Sequence, residues 1–457
     1  MSDSGSEHTM SDAEGLMWRL EKDAYMSSTF GTVTILDRAP DFDAFRRRME
    51  RASIAIPRLR QRVINPPAGV GNPTWSDDPD FSIDRHVRRI ACPKPGTVQQ
   101  VLDMAALMVS DPLDRTRPLW QFTVVEGLRG GKAALISKMH HTIADGERGI
   151  ELSLQYFDFE RDAPEPPPLT YQPRESSGTS DPLAATRDLV ETGLRLPLGV
   201  AGQVRDLLAD PSKLPDASGA AMRTFTSIAR QLGDTQPARS PLWTERSLRR
   251  ELRGVRASFH DTKAAAKKLG GTLNTAFVTC ATDAAATYHQ RLGAPVESLR
   301  TSIAVSTRTE ESGNNAFSIV RMIVPTGEMP IDERFLAIDE TIKAARTGQG
   351  SGGLEAISTL ITALPTSLII RLARQQAQTV DFATSNVKGA PVPVYAAGAQ
   401  LLEIYPIGPL LGVAFNLTLM SYLGSLDMGV HIDPAAVAEP ELLAECLDGA
   451  FERFAAI

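Results

Sequence analysis

The amino-acid sequence predicts a mixed α/β fold in two halves. Segments with the two-residue alternation of strands follow one another along the chain with segments whose apolar residues recur at helical spacing. A proline-rich stretch at residues 163–168 has the composition of a linker. With 457 residues, 42% of them hydrophobic, the chain can form two ordinary cores. The expected divisions are a disordered N-terminus (1–9), an N-terminal domain (10–162), a proline-rich and helical crossover linker (163–241) and a C-terminal domain (242–457).

In the first half, helices and strands are predicted to precede a short histidine-containing segment. Residues 41–52 form a helix with Phe42, Phe45 and Met49 on one face, because these residues are three and four positions apart. A second amphipathic helix covers residues 98–109. Strands are predicted at residues 30–36, 120–125 and 132–139, and the last of these ends directly before His140.

The second half repeats this alternation after a second proline cluster at residues 237–241. No internal sequence repeat relates the two halves, so any duplication is one of structure alone. The predicted strands cover residues 301–306, 317–325, 410–418 and 429–433, and a final helix covers residues 434–454.

Residues 140–146, His-His-Thr-Ile-Ala-Asp-Gly, are the main candidate for chemistry. A histidine side chain, with its ordinary pKa near neutrality, can take a proton from an alcohol and return it to a leaving group. Asp145 can hold the local backbone or fix the tautomer of an imidazole, and Gly146 permits a tight turn near a ligand. The segment therefore indicates acyl transfer to a hydroxyl or an amine.

Strand alternation predicts different surroundings for His140 and His141, because successive residues of a strand point to opposite faces. The same alternation argues against a metal site built from this pair, and no CxxC or HExxH spacing exists elsewhere. A GxSxG nucleophile elbow is also missing. One histidine is therefore expected to act as a base on a substrate hydroxyl, without a covalent serine partner.

The motif occurs together with others that resemble a known family. His-His-x-x-x-Asp-Gly is shared by acyltransferases of the chloramphenicol-acetyltransferase-like fold, including peptide-synthetase condensation domains. Residues 112–120, Pro-Leu-Asp-Arg-Thr-Arg-Pro-Leu-Trp, resemble the PLDRxRPLW signature of bacterial wax ester synthase/diacylglycerol acyltransferases. The resemblance extends from about Met10 to the C-terminal helix. Further matches in the family's order are residues 57–62 (PRLRQR), Trp75, 80–81 (DF), 86–89 (HVRR), 315–318 (NAFS) and 385–387 (SNV).

This resemblance implies two chloramphenicol-acetyltransferase-like domains with a substrate channel between them and the histidine motif at its centre. Acyl-CoA is the implied donor substrate, diacylglycerol or a long-chain alcohol the implied acceptor, and no cofactor is implied. His141 matches the family's second histidine and is the predicted general base. His140, Asp145 and Gly146 are predicted to support it. Both substrates bind together, so no acyl-enzyme is expected.

Four further residues are singled out by the resemblance. Asn274, in the second half, could line the channel or donate a hydrogen bond to a developing oxyanion, and it could equally be a helix N-cap. Asp114, Arg115 and Arg117 of the upstream motif are predicted to be architectural, since an Asp–Arg pair beside a proline turn is typical of folding rather than catalysis.

The sequence departs from the family pattern at two places. The family's Asn-Asp pair is here Asn274-Thr275, and the charged pair Glu147-Arg148 follows the histidine motif where the family has small or apolar residues. Two alternatives therefore stay open beside lipid O-acylation. One is an acyltransferase of the same fold with another acceptor, of the condensation type or one that forms polyketide esters. The other is a catalytically weak paralogue that binds lipid.

Composition limits the partners and the compartment. The 48 Lys and Arg against 55 Asp and Glu give a net charge of −7, which argues against nucleic acid. Three widely separated cysteines and no leader or 20-residue apolar run predict a cytoplasmic protein. Residues 357–370 are apolar but are interrupted by Pro365. They predict a buried or amphipathic helix pair, with peripheral contact to the inner membrane or a lipid droplet as the alternative.

Overall fold

A computed structural model describes residues 9–66, 72–144, 149, 152–172, 237–306, 317–348 and 366–457. It confirms a mixed α/β architecture with two mixed six-stranded sheets and a separate hairpin. The elements of the first half are α1 (Asp12–Leu20), β1 (Thr29–Leu36), α2 (Phe42–Ala55), β2 (Gln61–Ile64), β3 (Thr74–Asp77), α3 (Ile83–His86), β4 (Val87–Ala91), α4 (Val98–Ser110), β5 (Trp120–Glu126) and β6 (Ala133–His140).

The elements of the second half follow the linker. Strand β9 has the predicted bounds, and β8 contains the predicted residues 301–306. The second half comprises β7 (Glu251–Ser258), α5 (Phe259–Lys268), α6 (Leu273–Arg291), β8 (Ser298–Ser306), β9 (Phe317–Pro325), α7 (Ile331–Gly348), α8 (Thr366–Ala377), β10 (Phe382–Val387), β11 (Tyr395–Ala396), β12 (Ala399–Ile407), β13 (Phe415–Tyr422), β14 (Ser425–Ile432) and α9 (Pro440–Ala455).

The first sheet has the strand order β11-β12-β1-β6-β5-β4. Its centre is the antiparallel pair β1–β6, in which Thr29 lies opposite His140 and Phe30 lies opposite Met139. The alternating apolar residues of β1 and β6 fill two cores, one on each face of the sheet. This pairing places the end of β6 beside the start of β1, where the histidine motif begins.

The second sheet has the order β7-β14-β13-β10-β8-β9. Its parallel pairs, β10 with both β8 and β13, are flanked by antiparallel strands. Helices α6 and α9 pack together over one face, and the core between them and the sheet includes Phe277, Phe415 and Phe451, which are almost fully buried. Burial of such aromatic side chains contributes a large share of the stability of this half.

Two strands of the second half, β11 and β12, belong to the first sheet. Strand β12 pairs antiparallel with β1 from Gly31–Ile407 to Leu36–Leu401. It also packs against β13 and β14 of the second sheet. At this crossing the backbones lie so close that a Cβ atom at Gly429 would overlap the carbonyl oxygen of Pro406. The two halves are therefore joined by these two strands, which the sequence did not predict.

The chain that leaves β12 is held by two side chains of the second sheet. His431 donates from Nδ1 to the carbonyl oxygen of Gly408 at 2.8 Å, and Asn416 donates from Nδ2 to that of Pro409 at 2.8 Å. His431 and Asn416 lie opposite each other on β14 and β13. This pair stabilises the segment that returns the chain from the first sheet to the second.

Stability is expected to decrease on acidification because of His431. Burial lowers the pKa of His431 to about 4, and Arg250 adds to this effect, whereas the Gly408 hydrogen bond and Asp433 oppose it. The unfolded chain, with a histidine pKa near 6.5, therefore binds a proton between pH 6.5 and 4 that the folded protein does not bind. This histidine contributes stability at neutral pH that is lost as the pH falls through that range, about 2 kcal/mol of it by pH 5.

Urea unfolding of the wild type and the His431→Asn variant at pH 7.5 and pH 5 measures this contribution. The variant lacks the part of the free energy of unfolding that depends on the protonation of His431. The free energies of unfolding of the wild type and the variant should therefore differ less at pH 5 than at pH 7.5. An equal difference at both pH values would show that His431 is not buried in its neutral form.

Three predicted boundaries in the second half are wrong. The strand placed at residues 410–418 begins only at Phe415, because Leu411 and Gly412 take positive φ angles of 47° and 83° in a turn. The strand placed at 429–433 begins earlier, at Ser425. The final helix begins at Pro440 rather than 434, since residues 433–437 form a turn and Pro440 suits the first helical turn.

Parts of the remaining predictions lie outside the described residues. This applies to residues 173–236 of the linker and to residues 357–365 of the apolar stretch. The rest of that stretch opens α8, which packs against α1 and has Ile369 buried. Within the described ranges, no helix has the length and apolar character needed to cross a bilayer.

Candidate active site

His140, the last residue of β6, is enclosed and held at both ring nitrogens. Its side chain is buried; Nε2 contacts the Glu21 carboxylate, and Nδ1 accepts hydrogen bonds from the Thr142 backbone N–H at 3.1 Å and from the Thr142 hydroxyl at 2.7 Å. Because the Thr142 N–H can only donate, the ring proton lies on Nε2 and is donated to Glu21. His140 is therefore a fixed structural element of the motif, with one tautomer and one orientation.

Glu21, directly after α1, is a site residue that no sequence motif indicates. Its carboxylate also accepts hydrogen bonds from the Ser27 hydroxyl at 2.9 Å, the Thr29 hydroxyl at 3.3 Å and the Ser28 backbone N–H at 3.4 Å. Burial alone would raise the pKa of Glu21, but the hydrogen bonds from His140, Ser27 and Ser28 outweigh this and lower it. Glu21 thus remains ionised and connects the start of β1 to the end of β6.

Helix α1, which presents Glu21, is positioned by local and distant contacts. Ser11 and Glu14 form a capping box at its N-terminus, which fixes where the helix starts. The guanidinium of Arg115 lies 3.4 Å above the Trp18 ring and donates to the Trp18 carbonyl oxygen at 2.9 Å. The Trp18 ring meets His140 edge-on, with the ring centroids 6.2 Å apart. Arg115 of the upstream motif therefore braces the helix that carries the partner of His140.

The upstream motif and three other matched segments meet at Trp120. Its indole N–H donates to the Leu59 carbonyl oxygen at 2.8 Å, and its ring stacks on His86 with centroids 4.4 Å apart. His86 is itself stacked on Phe81 and bonded through Nδ1 to the Trp120 carbonyl oxygen. Burial lowers the pKa of His86, in keeping with a packed, uncharged ring. These motif residues pack together and stabilise β5 and β6.

Asp114 and Arg117 form a surface turn. The Asp114 carboxylate accepts from the Thr116 backbone N–H at 3.0 Å and hydroxyl at 2.6 Å, and it pairs with Arg117 at 2.9 Å. The hydrogen bonds from Thr116 lower the pKa of Asp114. The contacts of both residues are those of a folded turn.

Lys138 is a second residue near the site that no sequence motif indicates. It lies two residues before His140 on the same face of β6, is buried, and donates to the backbone carbonyl oxygen of Asp111. Burial lowers the pKa of Lys138 to about 8. Lys138 thus anchors the chain that enters the upstream motif to the strand that carries the histidines.

His141 lies in different surroundings from His140, as strand alternation predicts. Its backbone N–H donates to the Ser28 carbonyl oxygen at 3.1 Å, which places it beside the start of β1. Its ring is half-buried and lies against Phe30, with centroids 4.6 Å apart and a tilt of 40°. Residues 145–148, which include Asp145, Gly146 and the Glu147-Arg148 pair, lie outside the described residues.

Asn274 lies on the second half, in the first turn of α6. The N-cap of this helix is Thr272, whose hydroxyl accepts from the Thr275 N–H at 3.1 Å, so the alternative that Asn274 is the N-cap is wrong. The Asn274 side-chain oxygen accepts from Nδ2 of exposed Asn386 at 3.4 Å. Asn386 belongs to the SNV segment at the end of β10. The structure therefore brings Asn274 and the SNV segment together.

Thr275, where the family has aspartate, is bonded to a carboxylate from another helix. Its buried hydroxyl donates to Asp339 of α7 at 2.8 Å and lies 3.0 Å from the Thr272 hydroxyl. Asp339 also pairs with Lys343 at 2.5 Å. A carboxylate is thus present at this position, although it is supplied by α7 rather than by α6.

Restoring the family residue alone is expected to destabilise the protein. In Thr275→Asp two carboxylates would share a buried position, which raises the pKa of one and costs on the order of 2 kcal/mol. The double variant Thr275→Asp/Asp339→Thr restores one carboxylate and one hydroxyl, so most of the loss should be recovered. Thermal unfolding of the three proteins tests this, and a double variant no more stable than Thr275→Asp would contradict the pairing.

Comparison with solved structures identifies the class of fold. The chain is similar to the wax ester synthase/diacylglycerol acyltransferase from Marinobacter aquaeolei VT8, with a TM-score of 0.67, 20% identity, and coverage of 98% of this chain and 100% of that one. It is also similar to the first condensation domain of the calcium-dependent antibiotic synthetase, with a TM-score of 0.59, 15% identity, and coverage of 99% and 97%. The fold is that of the two-domain, chloramphenicol-acetyltransferase-like acyltransferases.

Comparison of sequences identifies the family within that class. Residues 10–277 match the wax ester synthase/diacylglycerol acyltransferase catalytic domain, and residues 313–455 match the family's C-terminal domain. A Mycobacterium tuberculosis protein provisionally named a diacylglycerol O-acyltransferase is 33% identical over 473 residues, which cover 100% of this chain and 94% of the relative. A second one from that organism, named probable, is 28% identical, with coverage of 97% and 94%. The chain belongs to the wax ester synthase/diacylglycerol acyltransferase family and is an acyltransferase.

Proposed function

We propose that this enzyme transfers a fatty acyl group from acyl-CoA to the hydroxyl of diacylglycerol or of a long-chain alcohol, with His141 as the general base. The products are triacylglycerol or wax ester. The observation that carries the proposal is the difference between the surroundings of the paired histidines. His140 uses both ring nitrogens in contacts with Glu21 and Thr142, whereas His141 is half-buried at the end of the strand.

In the proposed step His141 accepts the proton of the acceptor hydroxyl as the oxygen attacks the thioester carbonyl carbon. A C–O bond forms, the C–S bond breaks, and the proton passes from the imidazole to the departing thiolate of CoA. Both substrates are bound together, so their alignment supplies much of the rate and no acyl-enzyme forms. Asn274 is the candidate donor to the oxyanion or a lining residue of the channel, and a supporting role is proposed for Asp145 and Gly146.

The family and the names of the relatives support this acceptor class. The two mycobacterial relatives are named as diacylglycerol O-acyltransferases, and the Marinobacter enzyme is named for both activities. Both acceptors are insoluble in water, so we expect them to be supplied from a membrane or lipid-droplet surface that the enzyme contacts peripherally.

Product formation tests the proposal. Purified protein is supplied with radiolabelled palmitoyl-CoA and, in separate reactions, with dioleoylglycerol or hexadecanol in detergent micelles. Label in triacylglycerol or wax ester is the expected result. Folded protein that forms neither ester would contradict the proposal and would favour another acceptor or a lipid-binding role.

A further inference from the structure

Helix α8 of the second half packs against α1 of the first half and against the turn that follows α1. The C-terminal end of α8 is fixed to the second sheet. Gln376 is buried and bonded to Arg321 of β9, and Arg300 of β8 donates to the carbonyl oxygen of Thr379 at 3.2 Å. Because this end is fixed, the rest of α8 relates the position of the second half to that of the first.

Arg374 of α8 bonds directly to the first half. Its Nη2 atom donates to Oδ1 of Asp23 at 2.7 Å, and its Nε atom contacts Oδ2 of the same carboxylate. The guanidinium carbon also lies 4.7 Å from the centre of the Tyr25 ring. The Asp23 side chain is only 7% exposed, so the carboxylate is largely shielded from water. A two-pronged contact of this kind fixes orientation as well as distance.

The turn that contains Asp23 also holds the site histidine. We call residues 20–29 the Glu21 turn. Glu21 contacts His140, and Asp23 lies two residues further along the chain. The Asp23 N–H donates to the carbonyl oxygen three residues earlier at 3.0 Å, and the Met26 N–H donates to the Asp23 carbonyl oxygen at 2.9 Å. Because the backbone is closed on both sides of Asp23, a displacement of Asp23 also displaces Glu21 and its histidine partner.

We propose that Arg374 is a positioning residue that couples the placement of the second half to the Glu21–His140 pair through Asp23. This inference rests on the proposed function, because that reaction needs groups from both halves at one substrate. The proposed base directly follows His140 in the first half, whereas the candidate oxyanion donor, Asn274, belongs to the second half. The contact between Arg374 and Asp23 keeps these groups in a constant relation.

The contact suits a coupling role better than a purely stabilising one. Each half has its own apolar core, and β11 and β12 join the halves independently of α8. The Arg374 side chain is 47% exposed, and ion pairs with an exposed partner contribute little to stability. The loss of Arg374 should therefore leave the protein folded and change the arrangement of groups at the site.

Two double-mutant cycles test the proposal. Initial rates with palmitoyl-CoA and dioleoylglycerol are measured for the wild type, for Arg374→Ala, Asp23→Ala and Glu21→Ala, and for Arg374→Ala combined with each of the other two. In Arg374→Ala kcat should fall on the order of tenfold, with KM unchanged for both substrates. Adding Arg374→Ala to Asp23→Ala or to Glu21→Ala should lower kcat no further, because residues that act through one another are not additive.

Two further variants serve as controls, and thermal melts establish that every variant is folded. Arg374→Lys keeps the charge but loses the two-pronged contact, so it should recover only part of kcat. Arg371→Ala removes an exposed arginine one turn earlier on the same helix. It makes the same chemical change without removing a donor to Asp23 and should keep the wild-type rate.

Amide hydrogen exchange measures the same coupling without turnover. The His141 N–H donates to the Ser28 carbonyl oxygen in the Glu21 turn, so loosening of this turn reaches the motif directly. Arg374→Ala should accelerate exchange in the Glu21 turn and at residues 140–142, and exchange in α6 should stay at the wild-type rate. Wild-type protein that forms no ester, together with this exchange response, would contradict the proposed function and support the coupling.

Three results would overturn the coupling. Wild-type kcat and wild-type exchange in Arg374→Ala would show that the contact with Asp23 holds nothing in place. Losses of kcat that multiply when Arg374→Ala is combined with Glu21→Ala would show that the two residues act independently. A raised KM with an unchanged kcat in Arg374→Ala would assign this arginine to substrate binding.

Discussion

The His141→Ala variant is expected to lose acyl transfer by a factor on the order of 10²–10⁴, the usual contribution of a positioned general base. The variant removes the group that accepts the hydroxyl proton, while the backbone hydrogen bond from residue 141 to the Ser28 carbonyl oxygen remains available. The ring is only half-buried, so its removal should cost little stability. Initial rates with palmitoyl-CoA and dioleoylglycerol, measured beside a thermal melt, check both parts.

His260→Ala is the matched control for this variant, because it removes an exposed imidazole far from the motif in sequence. It should keep the wild-type rate. A His141→Ala protein that melts cooperatively and retains the wild-type turnover number would eliminate His141 as the base.

The second large effect is expected at Glu21. In Glu21→Ala the buried His140 loses its anionic partner and the first-half strands lose a link, because Ser27 and Thr29 also donate to that carboxylate. We expect kcat to fall about tenfold to a hundredfold, the loss that a displacement of about 1 Å near the reacting groups can cause. KM for palmitoyl-CoA should change little, because Glu21 is a positioning residue that acts through His140.

The conservative variant distinguishes positioning from general damage. Glu21→Gln keeps an oxygen that can accept from His140 and should recover a substantial part of kcat, whereas a merely destabilised protein would show the same defect in both variants. Glu165→Gln, which removes the charge of an exposed carboxylate paired with Arg47 at 2.6 Å, is the control and should be neutral. Equal kcat values for Glu21→Ala and the wild type would contradict the role of the Glu21–His140 pair.

Five elements of the first half were accessible from sequence because their signals are local, whereas α1, β2, β3, α3 and β4 were not predicted. The spacing of apolar residues in α2 and α4 and the apolar runs of β1, β5 and β6 each depend on neighbours within a few positions. Strand β12 was not predicted, since its place in the first sheet results from pairing with β1 across more than 360 residues. No local pattern specifies such a partner.

In the candidate site, too, local features could be predicted from sequence and long-range contacts could not. The paired histidines were found because the motif is contiguous, and their different surroundings followed from strand alternation. Glu21 was missed because it lies 119 residues before His140 and belongs to no motif. The Ser11–Glu14 capping box was a usable sign of the helix that carries it. Asp339, which supplies the carboxylate beside Thr275, lies on α7 and could be assigned only by folding α6 and α7 together.

The central claim is direct transfer of the acyl group at His141, and following radiolabel in both protein and lipid tests it most directly. Purified enzyme is incubated with radiolabelled palmitoyl-CoA, first alone and then with dioleoylglycerol or hexadecanol. We predict no covalently bound label in the first stage and labelled ester in the second, with the ester missing from His141→Ala. Label that is retained on the denatured protein and then passes to the acceptor would contradict direct transfer and establish an acyl-enzyme.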